Sequence, residues 1–222
     1  MKDNIERLDN DEDYYGEFGK QFLSNSDIKS LLENPSQFKH SEKTLPMLIG
    51  NYFHTAMMEP DKLDDYPILD VATRNNKAYK ESAMGELIML QREVDEITML
   101  TDKMKGNMDI FDIIYAKGNK FEVPMIKELH SEMWKGKADI VTDTHVIDLK
   151  TTSDISKFKS SAWVYNYDSQ AYLYQEFFGK PMKFIVGCKK TLQLGVFECS
   201  PEFIERGRDK VLDAIISWRK FF

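Results

Sequence analysis

The chain has 222 residues, of which 42% are hydrophobic and 30% charged, and its formal net charge is −7. This composition suffices for one sizeable core and excludes wholesale disorder. No apolar run approaches the roughly 20 residues of a membrane helix, and the polar, acidic N-terminus lacks the features of a secretory signal. Two cysteines are too few for an iron–sulfur cluster, and we expect reduced thiols in a cytoplasmic protein without a membrane partner.

The acidic excess is uneven along the chain. Residues 1–20 hold seven acidic and three basic residues, and we expect them to form a loosely held, flexible arm. Residues 180–222 instead hold nine basic and five acidic residues. Overall acidity argues mildly against binding to the phosphate backbone of nucleic acid, but a locally basic groove on an acidic protein is compatible with it.

The first half of the chain is predicted to be mainly helical. The polar residues 24–26 offer helix N-caps before a short apolar face that ends at Pro35. A second helix is expected over residues 45–58. Residues 75–117 look mostly helical, and Gly118 provides a C-terminal stop.

Strand patterns follow in the second half. We expect a strand over residues 120–132, then a hairpin of two short strands, 137–142 and 145–151. A helix, two strands and a final helix complete the order, at residues 167–178, 183–189, 192–198 and 201–218. We therefore expect one domain over residues 1–222, of α/β (α+β) class, with helices flanking a central mixed sheet.

Two acids and a lysine stand on the predicted hairpin. Asp139 lies on its first strand, and Asp148 and Lys150 lie on the second, two residues apart and therefore on one face. Two carboxylates that approach across a hairpin repel each other unless a cation lies between them. Mg²⁺ suits such oxygen ligands, and the backbone carbonyl of Leu149 is a further candidate ligand. The alternative is an exposed hairpin with solvated charges, and this spacing alone favours neither interpretation.

Five segments occur in an order that resembles a known enzyme superfamily. They are Leu23-Ser24-Asn25-Ser26 running to Asn34-Pro35, Gly50-x-x-x-His54, Glu128 before Gly136-Lys137-Ala138-Asp139, Asp148-Leu149-Lys150-Thr151-Thr152, and Gln170-x-x-x-Tyr174. This ordered set resembles the PD-(D/E)XK nucleases, within them the RecE-like exonucleases, and more distantly the RecB and lambda exonuclease groups. The resemblance covers residues 23–178.

The resemblance implies a restriction-endonuclease-like core with an N-terminal helical region. It implies a Mg²⁺-dependent deoxyribonuclease, with Mn²⁺ able to substitute. The expected activity is that of a 5′-to-3′ exonuclease on double-stranded DNA ends, in phage recombination or DNA processing. A single-strand annealing protein and a homo-oligomer are the expected protein partnerships.

The resemblance also implies roles for acidic and imidazole groups around the hairpin. His54 would assist Asp139 and Asp148 in binding the metal through a neutral ring nitrogen, whereas a lone histidine is more often structural. The catalytic residues would be Asp139, Asp148, Lys150, Glu128 and Gln170. Glu122 and Glu132 are nearby alternatives to Glu128 because the strand register is uncertain, and a solvated glutamate is its alternative reading.

Four polar side chains are expected to contact DNA or its phosphates. Gln170 and Tyr174 lie four residues apart on one helix face. Gln170 could bind phosphate, a metal-bound water or Lys150, and Tyr174 could contact the DNA backbone. Ser24 and Ser26 could hold a phosphate at a helix N-terminus, although ordinary N-capping is the simpler use.

Two other functions are compatible with the same residues. One is a catalytically silent DNA-binding or assembly module, which the acidic balance mildly favours and the complete ligand set disfavours. The other is an endonuclease or single-strand nuclease with the same site, because strand preference depends on the shape of the channel.

Overall fold

The computed structural model describes residues 2–40 and 43–222. Its helices are α1 (Lys2–Arg7), α2 (Asp11–Tyr15), α3 (Asn25–Glu33), α4 (Leu45–Met58), α5 (Lys77–Ala83), α6 (Gln91–Lys105), α7 (Met108–Tyr115), α8 (Phe158–Val164), α9 (Tyr167–Phe178) and α10 (Pro201–Phe221). Its strands are β1 (Ile68–Leu69), β2 (Met89–Leu90), β3 (Lys120–Leu129), β4 (Glu132–Val141), β5 (Val146–Thr152), β6 (Met182–Cys188) and β7 (Leu194–Glu198).

A five-stranded mixed sheet, in the order β3-β4-β5-β6-β7, forms the centre of the fold. All neighbouring strands are antiparallel except β5 and β6, which run parallel because α8 and α9 cross between them. Strands β1 and β2 form a separate parallel pair. The predicted fold class, a mixed sheet flanked by helices, is confirmed.

Helices cover the two faces of this sheet with separate apolar layers. On one face, buried residues of α3, α8, α9 and α10 pack against Val146 and Phe184. On the other, α4, α6 and α7 pack against Ile147 and Leu149. The alternation along β5 therefore follows the sequence pattern, in which successive side chains point to opposite faces. Among residues 2–40 and 43–222, no helix is both long and apolar enough to cross a membrane.

The predicted strand over residues 120–132 is in fact two strands joined by a tight turn. His130 and Ser131 have positive φ angles of 55° and 65°, and β4 begins at Glu132. The turn contains neither glycine nor proline, so no residue in it marks the end of β3 in the sequence. The predicted boundary at residue 137 was wrong for the same reason.

The N-terminal segment also differs from its prediction. Residues 2–20 form α1, α2 and a 3-10 turn instead of a loose acidic arm. Leu8 and Tyr14 are buried in a small cluster with Phe22 and Ile126 of β3. Two apolar side chains thus anchor a segment whose acidic side chains remain mostly exposed.

Candidate active site

The candidate site lies where β4 and β5 separate. These strands pair over only two positions, Ile140 with Ile147 and Val141 with Val146. Asp139 and Asp148 are the first residues beyond that pairing. A fork between two strands thus places both carboxylates at its apex.

The segment that leads into α3 lies on the open side of the fork. Leu23 bonds to the edge of β4 that faces away from β3, donating from its N–H to the Met133 carbonyl at 2.9 Å. It accepts from the Lys135 N–H at 2.7 Å. Where β4 is no longer paired with β5, Leu23 therefore supplies hydrogen-bond partners for some of its backbone groups, as buried N–H and C=O groups require.

The regular alternation of β4 breaks at Asp139. Ala138 packs in one apolar layer, and Ile140, two residues later, packs in the opposite layer. Glu122, opposite Asp139 in β3, has a φ angle of 49° and no ladder partner. Asp139 is therefore presented by an irregular stretch of two strands, as residues beside functional sites often are.

Asp139 is held by donors from two directions. Its Oδ2 accepts from the Leu149 N–H at 2.7 Å and lies 3.1 Å from His54 Nδ1 on α4. Burial raises the pKa of Asp139, but the neighbouring imidazole and Lys150 lower it by more, and the net shift is downward. Burial likewise lowers the pKa of His54, and Asp139 raises it above the ordinary value.

Asp148 contacts two further predicted site residues, Gln170 and Lys150. Gln170 Nε2 donates to its Oδ1 at 2.5 Å, and Lys150 Nζ lies 2.5 Å from its Oδ2. Burial and repulsion from Asp139 raise the pKa of Asp148 to about 6. Burial opposes the charge on Lys150, but the Asp148 carboxylate raises its pKa by more, so the ammonium stays charged. The same ammonium lies over the Tyr167 ring, 4.9 Å from its centroid.

The donor set fits a divalent cation. His54, Glu122 and Asp139 each offer a ligand atom, and these atoms lie within 4.8 Å of one another. Asp148 lines the same cleft, and its Oδ2 is paired with Lys150 at 2.5 Å, so a metal bound there would share this oxygen with the ammonium or displace it. Repulsion between close carboxylates is the force that a bound cation would relieve.

The structure corrects the position of the additional glutamate. Glu128 is exposed on β3, opposite Met133, and does not line the site cleft. Glu122, six residues earlier, lies there instead, and burial and Asp139 raise its pKa to about 7. The sequence could not decide between Glu122 and Glu128 because it does not give the register of β3 against β4.

A cleft of about 570 Å³ surrounds this group. Ser24, Ser26, Gln170 and Tyr174 all line it. Ser24 is the N-cap residue of α3, and its hydroxyl donates to the Asp27 carboxylate at 2.7 Å. Asp27 thus already engages the Ser24 hydroxyl, which also contacts that of Ser26 at 2.9 Å.

Helix α9 reaches the cleft because Gly136 leaves room for it. A Cβ on Gly136 would lie 2.4 Å from the Tyr174 ring and 2.7 Å from that of Phe177. The Tyr174 hydroxyl donates to the Lys137 carbonyl at 2.9 Å. Lys137 and Asp11, whose side chains form an ion pair, also line the cleft. Neither was predicted to lie there, although Lys137 precedes Asp139 by only two positions.

Comparisons with known proteins agree with this architecture. A family profile described as a PDDEXK-like domain of unknown function (DUF3799) matches residues 20–216. Comparison with curated proteins gives no significant match.

Comparison with solved structures gives one match that shares the fold and two weaker matches, all at low sequence identity. A proposed exonuclease from Eubacterium rectale has a TM-score of 0.69 at 18% identity, and the match covers 95% of this chain and 85% of that one. An alkaline exonuclease from Laribacter hongkongensis has a TM-score of 0.41 at 11% identity, covering 99% and 93%. A phage-related exonuclease from Haemophilus somnus has a TM-score of 0.38 at 11% identity, covering 90% and 94%. Because the family profile spans most of the chain, this protein belongs to the family of PDDEXK-like domains.

Proposed function

We propose that the chain is a metal-dependent deoxyribonuclease that hydrolyses phosphodiester bonds. The observation that carries the proposal is the convergence of Asp139, Asp148 and Lys150 with His54 and Glu122 on one cleft. Membership in the PDDEXK-like family supports it. The sequence resemblance to RecE-like enzymes favours 5′-to-3′ exonuclease action on double-stranded DNA ends.

His54, Glu122, Asp139 and Asp148 would hold the metal, with the Leu149 carbonyl as a further ligand. Mg²⁺, or Mn²⁺ in its place, would supply Lewis-acid stabilisation of the negative charge that develops on the phosphate. The three carboxylates of this set favour these hard ions over softer metals.

Lys150 is proposed to donate to the phosphate group that reacts. Its ammonium remains charged beside Asp148 and the Tyr167 ring, so the donor is preformed. A preorganised cation stabilises the transition state without reorganising solvent. Gln170 fixes the Asp148 carboxylate through Oδ1, while Lys150 contacts Oδ2.

The test compares end-labelled linear duplex DNA with covalently closed circular DNA in the presence of Mg²⁺. We expect release of nucleotides from the linear substrate, no cutting of the circle, no activity in EDTA, and loss of activity in Asp148→Asn. Labels on the 5′ or 3′ end report the polarity. Cutting of the circle would make the enzyme an endonuclease, and binding without cleavage a silent module. Undiminished activity of Asp148→Asn would refute the assigned site.

A further inference from the structure

Lys137 lies in the cleft and forms an ion pair with a mostly exposed carboxylate, that of Asp11. Lys137 Nζ lies 2.6 Å from Asp11 Oδ1, and the lysine side chain is 10% exposed while that of Asp11 is 66% exposed. Asp11 comes from α2, the acidic N-terminal segment, and both residues line the site cleft. A nearly buried cation is thus neutralised by a carboxylate that reaches it from solvent.

The other lysines of the described cleft are committed elsewhere. Lys150 binds Asp148 within the site, and the ammonium of Lys135 donates to the Tyr14 carbonyl over the Tyr14 ring. Lys137 also contacts that ring, with its ammonium 4.9 Å from the centroid. Of the lysines in the described cleft, Lys137 is therefore the one that an incoming anion could bind by displacing the exposed Asp11 side chain.

Such an exchange is favourable for a phosphate. The Asp11 carboxylate is mostly exposed, so it is well solvated once the ion pair separates, and its loss costs little. Asp11 would regain full hydration, whereas Lys137 would keep an anionic partner in a mostly buried position. Lys137 lies two residues before Asp139, roughly 6.6 Å along β4, which is of the order of the spacing between successive phosphates of one strand.

We infer that Lys137 is a phosphate-binding residue for the substrate strand, and that the Asp11 carboxylate occupies this subsite when DNA is absent. The inference rests on the proposed function and identifies how the cleft engages a phosphodiester next to the reacting one. DNA must displace Asp11 from Lys137 in order to bind, so the acidic segment weakens binding to nucleic acid.

The test measures binding of a fluorescently labelled duplex to the full chain in EDTA, where cleavage is not supported. Asp11→Asn should bind about two- to fivefold tighter than the wild type, the weight of an exposed ion pair. Asp9→Asn is the matched control, because Asp9 is an exposed acid of the same segment that does not line the cleft. It should bind like the wild type.

Variants of Lys137 complete a double-mutant cycle. Lys137→Gln should bind about tenfold weaker, with the slope of log Kd against log salt reduced by about one. Adding Asp11→Asn to Lys137→Gln should change nothing further. Lys137→Arg keeps the charge and should keep the affinity, and equal melting temperatures would show that the fold is intact.

Three outcomes would overturn the inference. Equal tightening by Asp9→Asn and Asp11→Asn would show a general charge effect, and unchanged affinity of Asp11→Asn would show that its carboxylate does not compete with DNA. Undiminished binding by Lys137→Gln would remove the subsite. A wild type that cleaves DNA while these results fail overturns the inference alone, whereas a wild type that neither binds nor cleaves DNA overturns the proposed function as well.

Discussion

Gly207 gives a direct test of how helix packing supports the site. It is buried in α10, where an added Cβ would lie 2.0 Å from the Asp168 carbonyl oxygen and 2.9 Å from the Ser169 nitrogen. Both atoms belong to the backbone of α9, so a change of rotamer cannot relieve the overlap. Gly207→Ala should therefore force α9 and α10 apart, although alanine is the better helix former by about 1 kcal/mol.

The expected magnitude follows from these opposing effects. Overpacking costs about 1–3 kcal/mol, and an overlap with backbone belongs at the upper end. After the gain in helix propensity, we expect a net loss of about 2 kcal/mol, or a Tm lower by about 4–8 °C. Because α9 carries Gln170, which holds Asp148, cleavage of DNA should fall with stability.

Gly50→Ala is the matched control for this prediction. Gly50 is also a helical glycine, in α4, but an added Cβ there meets no atom within 4 Å. Alanine should stabilise the chain by about 0.5–1 kcal/mol at this position. Urea and thermal unfolding followed by circular dichroism measure both variants. A Gly207→Ala variant as stable as Gly50→Ala would refute the packing argument.

Three further predictions concern the site itself. Lys150→Ala should lower turnover by about 10²–10³ while DNA affinity changes far less, and single-turnover kinetics with separate binding measurements check this. Glu122→Gln should weaken binding of Mn²⁺ to the purified chain, measured by calorimetry, whereas Glu128→Gln should match the wild type; the reverse pattern would restore Glu128 to the site. The raised pKa of Asp148, about 6 in the folded chain, means that its ionisation destabilises the metal-free protein as pH rises through that value. In EDTA, the free energy of unfolding of Asp148→Asn relative to wild type should therefore increase between pH 4 and 7, and a flat difference would contradict the shift.

Strong local patterns were sufficient for several elements. Two helices have their predicted bounds, Leu45–Met58 and Tyr167–Phe178, because apolar spacing, proline and glycine mark their ends. The common face of Asp148 and Lys150 followed from the period of a strand. By contrast, the turn at residues 130–131 and the docking of residues 2–20 depend on tertiary contacts that override local signals.

The geometry of the site was less accessible to prediction. Asp139 and Asp148 lie at a fork between β4 and β5, and β4 beyond the fork bonds instead to Leu23, which is far away in the chain. Glu122 joins the cluster because its backbone has a positive φ angle, which the residue types around it do not predict. Motif spacing predicts which groups carry the chemistry, but long-range pairing decides which glutamate joins them.

The hydrogen bond from the Leu149 amide to Asp139 gives the protein an internal spectroscopic reporter. This amide belongs to a fully buried residue, yet its acceptor is a titratable side chain instead of a neighbouring carbonyl. Its proton resonance therefore senses the charge on Asp139 directly through the hydrogen bond, without any introduced label. A metal titration followed at this single amide would distinguish capture of the ion by Asp139 from binding elsewhere on an acidic surface.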